Sequence, residues 1–384
     1  MANNNDKKVL NVPALRFPEF TEEWQGEQLH EIAELSKGTG ISKEQLSENG
    51  TPCILYGELY TKYKSEIISK VISKTDIEES KLKHSKQNDV IIPCSGETAI
   101  DIAVARCVPF DNVLLGGDLN VIRLHKYDGA FMAYQLNGKR KTDIAKLAQG
   151  VSVVHLYGEN LKSIKTYNPS LQEQQKIVKL LSMLDERLEV QNKIIEDLKK
   201  LKSAISERFF TSINGDVVTL ADICDIVKGK QVNGEFLTDS GIYYVMNGGI
   251  EPSGYYDDYN TEANTISISE GGNSCGYVQF NTTPFWSGGH CYTIQNITNN
   301  VEKLYLYHYL KCNEDTIMKL RIGSGLPNIQ KKDLAKFRVI VPIIEQQKTI
   351  SAFLSLLERK VQVETDILIA VQSEKQYLLR QMFI

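Results

Sequence analysis

The order of motifs in this 384-residue chain repeats once along its length, and that repeat limits the fold more than any other feature. WQGEQLHEIAELSKG at 24–38 returns as DVVTLADICDIVKG at 216–229. At that spacing Leu29 matches Leu220, Ile32 matches Ile223, Leu35 matches Ile226, and Lys37-Gly38 matches Lys228-Gly229. LLGGDLNVI (114–122) lies over FWSGGHCYTI (285–294), at a shorter spacing, so the middle of the unit differs in length between the copies. QGVSVVHLYGENLKSIKTYNP (149–169) resembles IGSGLPNIQKKDLAKFRVIVP (322–342), pairing Gly150 with Gly323, Leu156 with Ile329, Leu161 with Leu334 and Pro169 with Pro342. EQQK at 173–176 recurs at 345–348, and Arg208-Phe209-Phe210 has a counterpart in Arg380-Gln381-Met382-Phe383. The chain therefore reads as a globular unit, a helix, a second globular unit and a second helix.

Residues 171–209 contain neither Gly nor Pro, with Pro169 before them and Asn214-Gly215 after, which suit start and stop signals. Apolar side chains recur every seven residues in two tracks. One runs Ile177, Leu184, Gln191, Leu198, Ile205, and the other Leu181, Leu188, Ile195, Lys202, Phe209. The pattern predicts a helix about 58 Å long. The second helix, over 344–382, carries Ile350, Phe353, Leu357, Ile367, Val371 and Leu378 at seam positions, interrupted by Lys360, Glu364 and Glu374. Seams this apolar need a cover. Pairing the two helices supplies one, and matched repeats around an approximate two-fold axis make the pair antiparallel.

Residues 24–150 and 216–330 are mixed α+β. Strand-like runs stand at 89–92, 119–124, 265–268 and 291–294, with glycine turns beside them at Ser95-Gly96-Glu97, Gly116-Gly117, Gly271-Gly272 and Gly288-Gly289. Short helices are predicted at 130–137 and 303–311. No apolar run is long enough to span a membrane, and the start, MANNNDKKVLNVPALRF, lacks the apolar core of a signal peptide. Seven scattered cysteines, none in a CxxC pair, point to reduced thiols in a cytoplasmic protein and away from a structural zinc site. Charge is uneven: residues 211–330 hold 6 basic and 13 acidic side chains, whereas 331–384 hold 9 and 6. An acidic second unit runs against the basic surface expected of a nucleic-acid binder.

Catalytic motifs are wanting. Asn168-Pro169-Ser170 approaches an adenine-methylating motif but lacks its second proline and its aromatic residue. Gly38-Thr39-Gly40 and Val227-Lys228-Gly229-Lys230 lack the frame of a phosphate-binding loop. His30-Glu31 reads as a solvated helix face. Asp76, Glu78 and Glu79 near Lys81 have the composition of a nuclease metal site but read as a polar surface.

LRFPEFTEEW (15–24), WxxxxLxEIxELxKG (24–38), PxLQEQQKI (169–177) and LPNIQKKDLxxFxVxxP (326–342) together resemble the specificity subunit of type I restriction-modification enzymes, in the versions typical of Gram-positive bacteria. The resemblance covers essentially the whole chain. It implies two target recognition domains, at 1–150 and 211–330, separated by an antiparallel coiled coil. The coil comes from a spacer segment at 151–210 and a second helical segment at 331–384, giving an internal pseudo-two-fold repeat. It further implies a non-catalytic DNA-binding role, in which each domain reads half of a bipartite, asymmetric duplex target and the helices set the spacing. Two modification subunits would bring S-adenosylmethionine for adenine methylation, and restriction/translocase subunits would bring ATP and Mg, with no cofactor or metal on this chain. The alternatives are a recognition subunit of a methyltransferase-only complex and, in another class, a coiled-coil scaffold or adaptor. The resemblance carries over no base-contacting residue. On physical grounds Lys37-Gly38 and Lys228-Gly229, each read as a loop after a short helix, are candidate phosphate contacts: the lysine reaches and the glycine allows close approach. Lys230 and Arg321 join them as two of the few basic residues in the second unit.

Overall fold

The computed structural model describes residues 10–384 except 79, 81, 324 and 326. It divides into two compact units, residues 1–192 with 367–384, and residues 193–366. Each unit thus holds one α+β domain, part of the first long helix and part of the second.

Both units use one frame. In the first, Gln25–Gln28 pairs antiparallel with Lys165–Asn168, and a four-stranded antiparallel sheet follows in the order Ala33–Lys37, Leu119–Leu124, Asp89–Pro93, Arg106–Val108. In the second, Asp216–Thr219 pairs with Arg338–Val341, and the sheet runs Asp225–Lys228, Cys291–Gln295, Thr265–Ser269, Val278–Asn281. A smaller sheet adjoins each, built on a parallel pair: Leu114 beside Cys53 in one, Val245 beside Trp286 in the other. It has five strands in the first unit and three in the second. The extra length of the first copy falls largely there, in residues 38–88 against 229–264.

The strand Asp89–Pro93 is buried throughout because both its faces are covered. Val90 and Ile92 face a cluster containing Met132 and Leu136, while Ile91 faces Ile54 and Leu115. The covering helix, Gly129–Asn137, is buried on nearly every side and is capped by Asp128, which accepts from Phe131 N at 2.9 Å. Its counterpart, Lys303–Cys312, is capped by Glu302 in the same way.

The long helices are Leu171–Ser212 and Ile344–Gln381. Their entries repeat side chain by side chain. Gln174 donates to Pro169 O at 2.8 Å and accepts from Asp128 N at 2.9 Å. Gln347 donates to Pro342 O at 2.7 Å and accepts from Glu302 N at 2.8 Å. This pairs Gln174 with Gln347, one residue off the register in which the two EQQK strings superpose.

Within the first unit the helices pack antiparallel, with Ile177 and Leu181 in one cluster with Leu379, Met382 and Phe383. Trp24, Phe131 and Tyr134 complete it, the ring centroids of Phe131 and Phe383 lying 5.3 Å apart. Within the second, Lys202 reaches Glu358 at 2.8 Å and Phe209 meets Phe353 edge-on at 6.0 Å. Leu184, Leu188, Gln191, Ile195, Leu198 and Ile205 are all buried or half-buried.

On the second helix Ile350, Leu357, Ile367, Val371 and Leu378 are likewise inward, but Phe353 is 42% exposed and Leu354 is fully buried in its place. The seam advances by four residues after Ile350, so a step of three falls on its rim. The polar interruptions shift similarly. Lys360 and Glu374 are exposed, Glu364 is buried, and the buried cation is Lys375. No helix among the described residues is long and apolar enough to cross a membrane.

Candidate nucleic-acid interface

In each unit one end of the four-stranded sheet gathers the candidate residues. Lys37 is the exposed last residue of its strand, opposite Asn120, and Lys228 holds the same place opposite Tyr292. Both were expected in loops. Both stand on strand ends instead, because each short helix passes directly into its strand.

The glycines behind them serve the fold. A Cβ on Gly38 would lie 1.9 Å from Gly116 O, and one on Gly229 would lie 2.2 Å from Gly288 O. Gly38 N donates to Leu119 O at 2.9 Å, and Gly229 N to Cys291 O at 2.8 Å. The close approach that requires glycine is thus to the chain's own backbone.

Across the strand Leu119–Leu124 from Lys37, the strand Asp89–Pro93 ends just before Cys94. Burial pushes this thiol up to about 11, so it stays protonated at neutral pH. The exposed carboxylate of Asp118 accepts from Ser95 Oγ at 3.2 Å. A hairpin closes over this end: Gln149 and His155 exchange backbone bonds of 2.9 and 2.7 Å, and Val154-His155 pairs with Ser95-Gly96. Its turn takes Gly150 at φ +119° and leaves Val151 97% exposed. Leu156 N donates to Cys94 O at 2.7 Å, and Asn120 Nδ2 donates to Leu156 O at 3.0 Å.

The second unit repeats the construction with other side chains. Glu270 takes the place of Cys94, Tyr292 that of Asn120, and His290 that of Asp118. Ile322 and Asn328 exchange backbone bonds of 2.8 and 3.0 Å, Gly323 has φ +105°, and Ile329 N donates to Glu270 O at 2.8 Å. Tyr292 OH reaches both Ile329 O at 3.1 Å and Glu270 Oε1 at 3.0 Å, and burial with this carboxylate contact raises its pKa.

Lys228 Nζ sits 2.6 Å from Glu270 Oε1. Part of its charge is therefore met within the unit, although the side chain stays half exposed. Among the described residues Glu270 Oε2 has no hydrogen-bond partner, and the exposed His290 Nδ1 is 3.4 Å away. Arg321, exposed, adjoins the hairpin, so Lys228 and Arg321 come to the same end of the sheet. Lys230 is exposed one step beyond, its N–H bonded to Ser287 O at 2.8 Å.

Sequence reasoning missed Glu270, Tyr292 and His290. The available signal was the alignment of both Gly-Gly turns and of the hairpin motif onto equivalent segments of the repeat. Of the segments that could mimic chemistry, Asn168 is buried and donates to Glu27 Oε2 at 3.1 Å, a structural tie at the helix entry. His30 and Glu31 are exposed. Asp76 and Glu78 are exposed, while Glu79 and Lys81 lie outside the described residues.

Comparison with known proteins agrees with this two-copy construction. A chain named as a type I specificity subunit in Mycoplasma pneumoniae is 32% identical over 154 residues, spanning 40% of this chain and 41% of that relative's length. Another so named, in Mycoplasma genitalium, is 24% identical over 281 residues, 69% of this chain and 73% of that one. The crystal structure of the type I restriction-modification S subunit from M. genitalium superposes with a TM-score of 0.69 at 22% identity, covering 97% of this chain and 99% of that one, and so shares the fold. The family described as type I restriction modification DNA specificity domain matches residues 21–200 and again residues 214–373. With two such matches over most of its length, the chain belongs to the type I restriction-modification DNA specificity family.

Proposed function

We propose that this specificity subunit is non-catalytic and works in the cytoplasm as the reader of a type I complex. Each unit takes one half of a bipartite, asymmetric duplex target. The paired helices set the spacing and dock two modification subunits, which bring S-adenosylmethionine. Restriction/translocase subunits then bring ATP and Mg. The observation that carries this reading is that two domains with one hydrogen-bonded frame present different chemistry at the same end. The first offers exposed Lys37 and Asp118 around the buried Cys94, the second exposed Lys228 and His290 around the buried Glu270. A shared frame explains docking onto a repeated scaffold, and divergent tips suit reading two unlike half-sites, since base edges are told apart by donor and acceptor pattern.

Docking also has support in each unit. Met183 and Val190 are exposed on the first helix, and Leu356 and Val363 on the second, off the seam and apolar. The test is coexpression with the modification subunit and mapping of methylated adenines. One split motif with two unlike halves is expected. Absence of methylation, or a single continuous palindrome, overturns the reading.

A further inference from the structure

The second unit presents an electrostatic problem for any DNA reader. Residues 229–262, which make up most of its smaller sheet, carry Glu235, Asp239, Glu251, Asp257, Asp258 and Glu262 against the single base Lys230. All six acids are exposed. This lobe repels a phosphate backbone. Lys228 is held by Glu270 and Lys311 by Glu314 at 2.7 Å, so neither is an unengaged cation.

The opposite condition holds over residues 319–338. This stretch carries Lys319, Arg321, Lys331, Lys332, Lys336 and Arg338 against one acid, Asp333. All six cations are exposed, and among the described residues none has a carboxylate within 4 Å. The fold keeps them together. The hairpin closed between Ile322 and Asn328 folds Arg321 back toward the helix Lys331–Ala335. A groove of about 680 Å³ brings Lys336 and Arg338 beside Leu320, Ile322 and Phe337. Through Gly272 N to Pro327 O at 3.0 Å the hairpin also rests on the sheet end that carries Glu270 and His290.

We infer that the second unit grips the DNA phosphate backbone through Lys319, Arg321, Lys331, Lys332, Lys336 and Arg338, while its acidic lobe stays off the duplex. The footprint is particular to this copy. The equivalent stretch of the first, 146–165, carries Lys146, Lys162 and Lys165, and the first two of these already face Asp143 and Glu159. The grip lies directly beside the tip that differs between copies, so phosphate contacts there hold the exposed His290 in register with base edges.

This inference rests on the DNA-reading function proposed above, and the test separates the two. The full chain is titrated onto a fluorescent duplex of random sequence, about 40 base pairs long, across a range of salt. Two double variants are compared with wild type, Lys331→Ala with Lys332→Ala, and Lys336→Ala with Arg338→Ala. Lys303→Ala, exposed in the same unit but outside the segment, is the control. Each double variant is expected to bind roughly tenfold more weakly and to lower the slope of log K against log salt by about 2. The control stays at the wild-type slope, and the methylated half-site sequences stay unchanged. Wild-type slopes for both double variants overturn the inference. So does loss of modification subunits with duplex binding intact, which makes the patch a protein-docking face. A wild-type chain that binds no duplex overturns the DNA-reading function itself, and the inference with it.

Discussion

His308 is the residue at which sequence position, burial and pH meet most plainly. It lies on the buried helix Lys303–Cys312, with Nε2 2.9 Å from Ser355 Oγ on the second long helix. Its counterpart in the first copy is Gln135, which donates to Tyr167 O at 2.8 Å. Burial pushes the imidazole down to about 4, against the opposing pull of Glu358. The folded state therefore keeps His308 neutral where the unfolded chain takes up a proton. A depressed folded pKa gives stability that is present above the unfolded value near 6.5 and is lost as pH falls toward 4. Between pH 7 and pH 5 the loss from this one group is about 2 kcal/mol. His308→Gln, the residue the first copy uses, should remove that part of the pH dependence while keeping a hydrogen bond to Ser355. Urea unfolding of both proteins at the two pH values checks this, and equal pH dependence in variant and wild type counts against it.

At the scale of the helices, the polar positions in the seam are paired across the repeat. Lys375 binds Asp185, and Glu66 at 2.5 Å, while Asp185 accepts from Tyr134 OH at 2.6 Å. Lys202 binds Glu358, which accepts from Tyr307 OH at 3.0 Å. The second pair is the more open, since the Glu358 side chain is 42% exposed whereas Asp185 and Glu66 are both buried. Lys375→Met should therefore cost about 3–5 kcal/mol by stranding two buried carboxylates, and Lys202→Met about 1 kcal/mol. Equal losses in chemical denaturation would show that burial does not separate the two sites. Lys202 stands in the sequence as a break in an apolar period, whereas Lys375 lies one residue past the expected break at Glu374, and the partners of neither could be read there. Glu66 is brought to Lys375 only by the tertiary fold. The long helices themselves were legible, because a seven-residue period is a one-dimensional property. So were the strands with β-branched runs, such as Val90-Ile91-Ile92. Phe353 lies on the rim of the seam, edge-on to Phe209, because a step of four from Ile350 buries Leu354. Two-residue strands such as Leu46–Ser47 and Lys83–His84 carry no period at all. The pairing of Lys228 with Glu270, 42 residues apart, left no local trace.

For the whole molecule the question is what fixes the distance between the two half-sites. In the proposed function this is the work of the helices, and their period provides a way to change it without touching the recognition domains. The chain passes from one unit to the other between Asn192 and Lys193 and between Asp366 and Ile367. Seven seam-compatible residues inserted at both points keep each seam in phase, since its side chains repeat every seven. Each insertion adds about 10.5 Å of helix. With one base pair for about every 3.4 Å of duplex, the unread gap should grow by at most about three base pairs. Growth is smaller if the helices are inclined to the DNA or the DNA bends. The half-site sequences should not change, because Lys37, Cys94 and Asp118 in one unit and Lys228, Glu270 and His290 in the other stay on their own frames. Sequencing of methylated sites from cells carrying the variant and its modification subunits reads out both quantities at once. A variant that assembles and methylates at the original spacing would show that the helices are not the ruler. Altered half-sites would move base reading off the sheet ends and onto the helices.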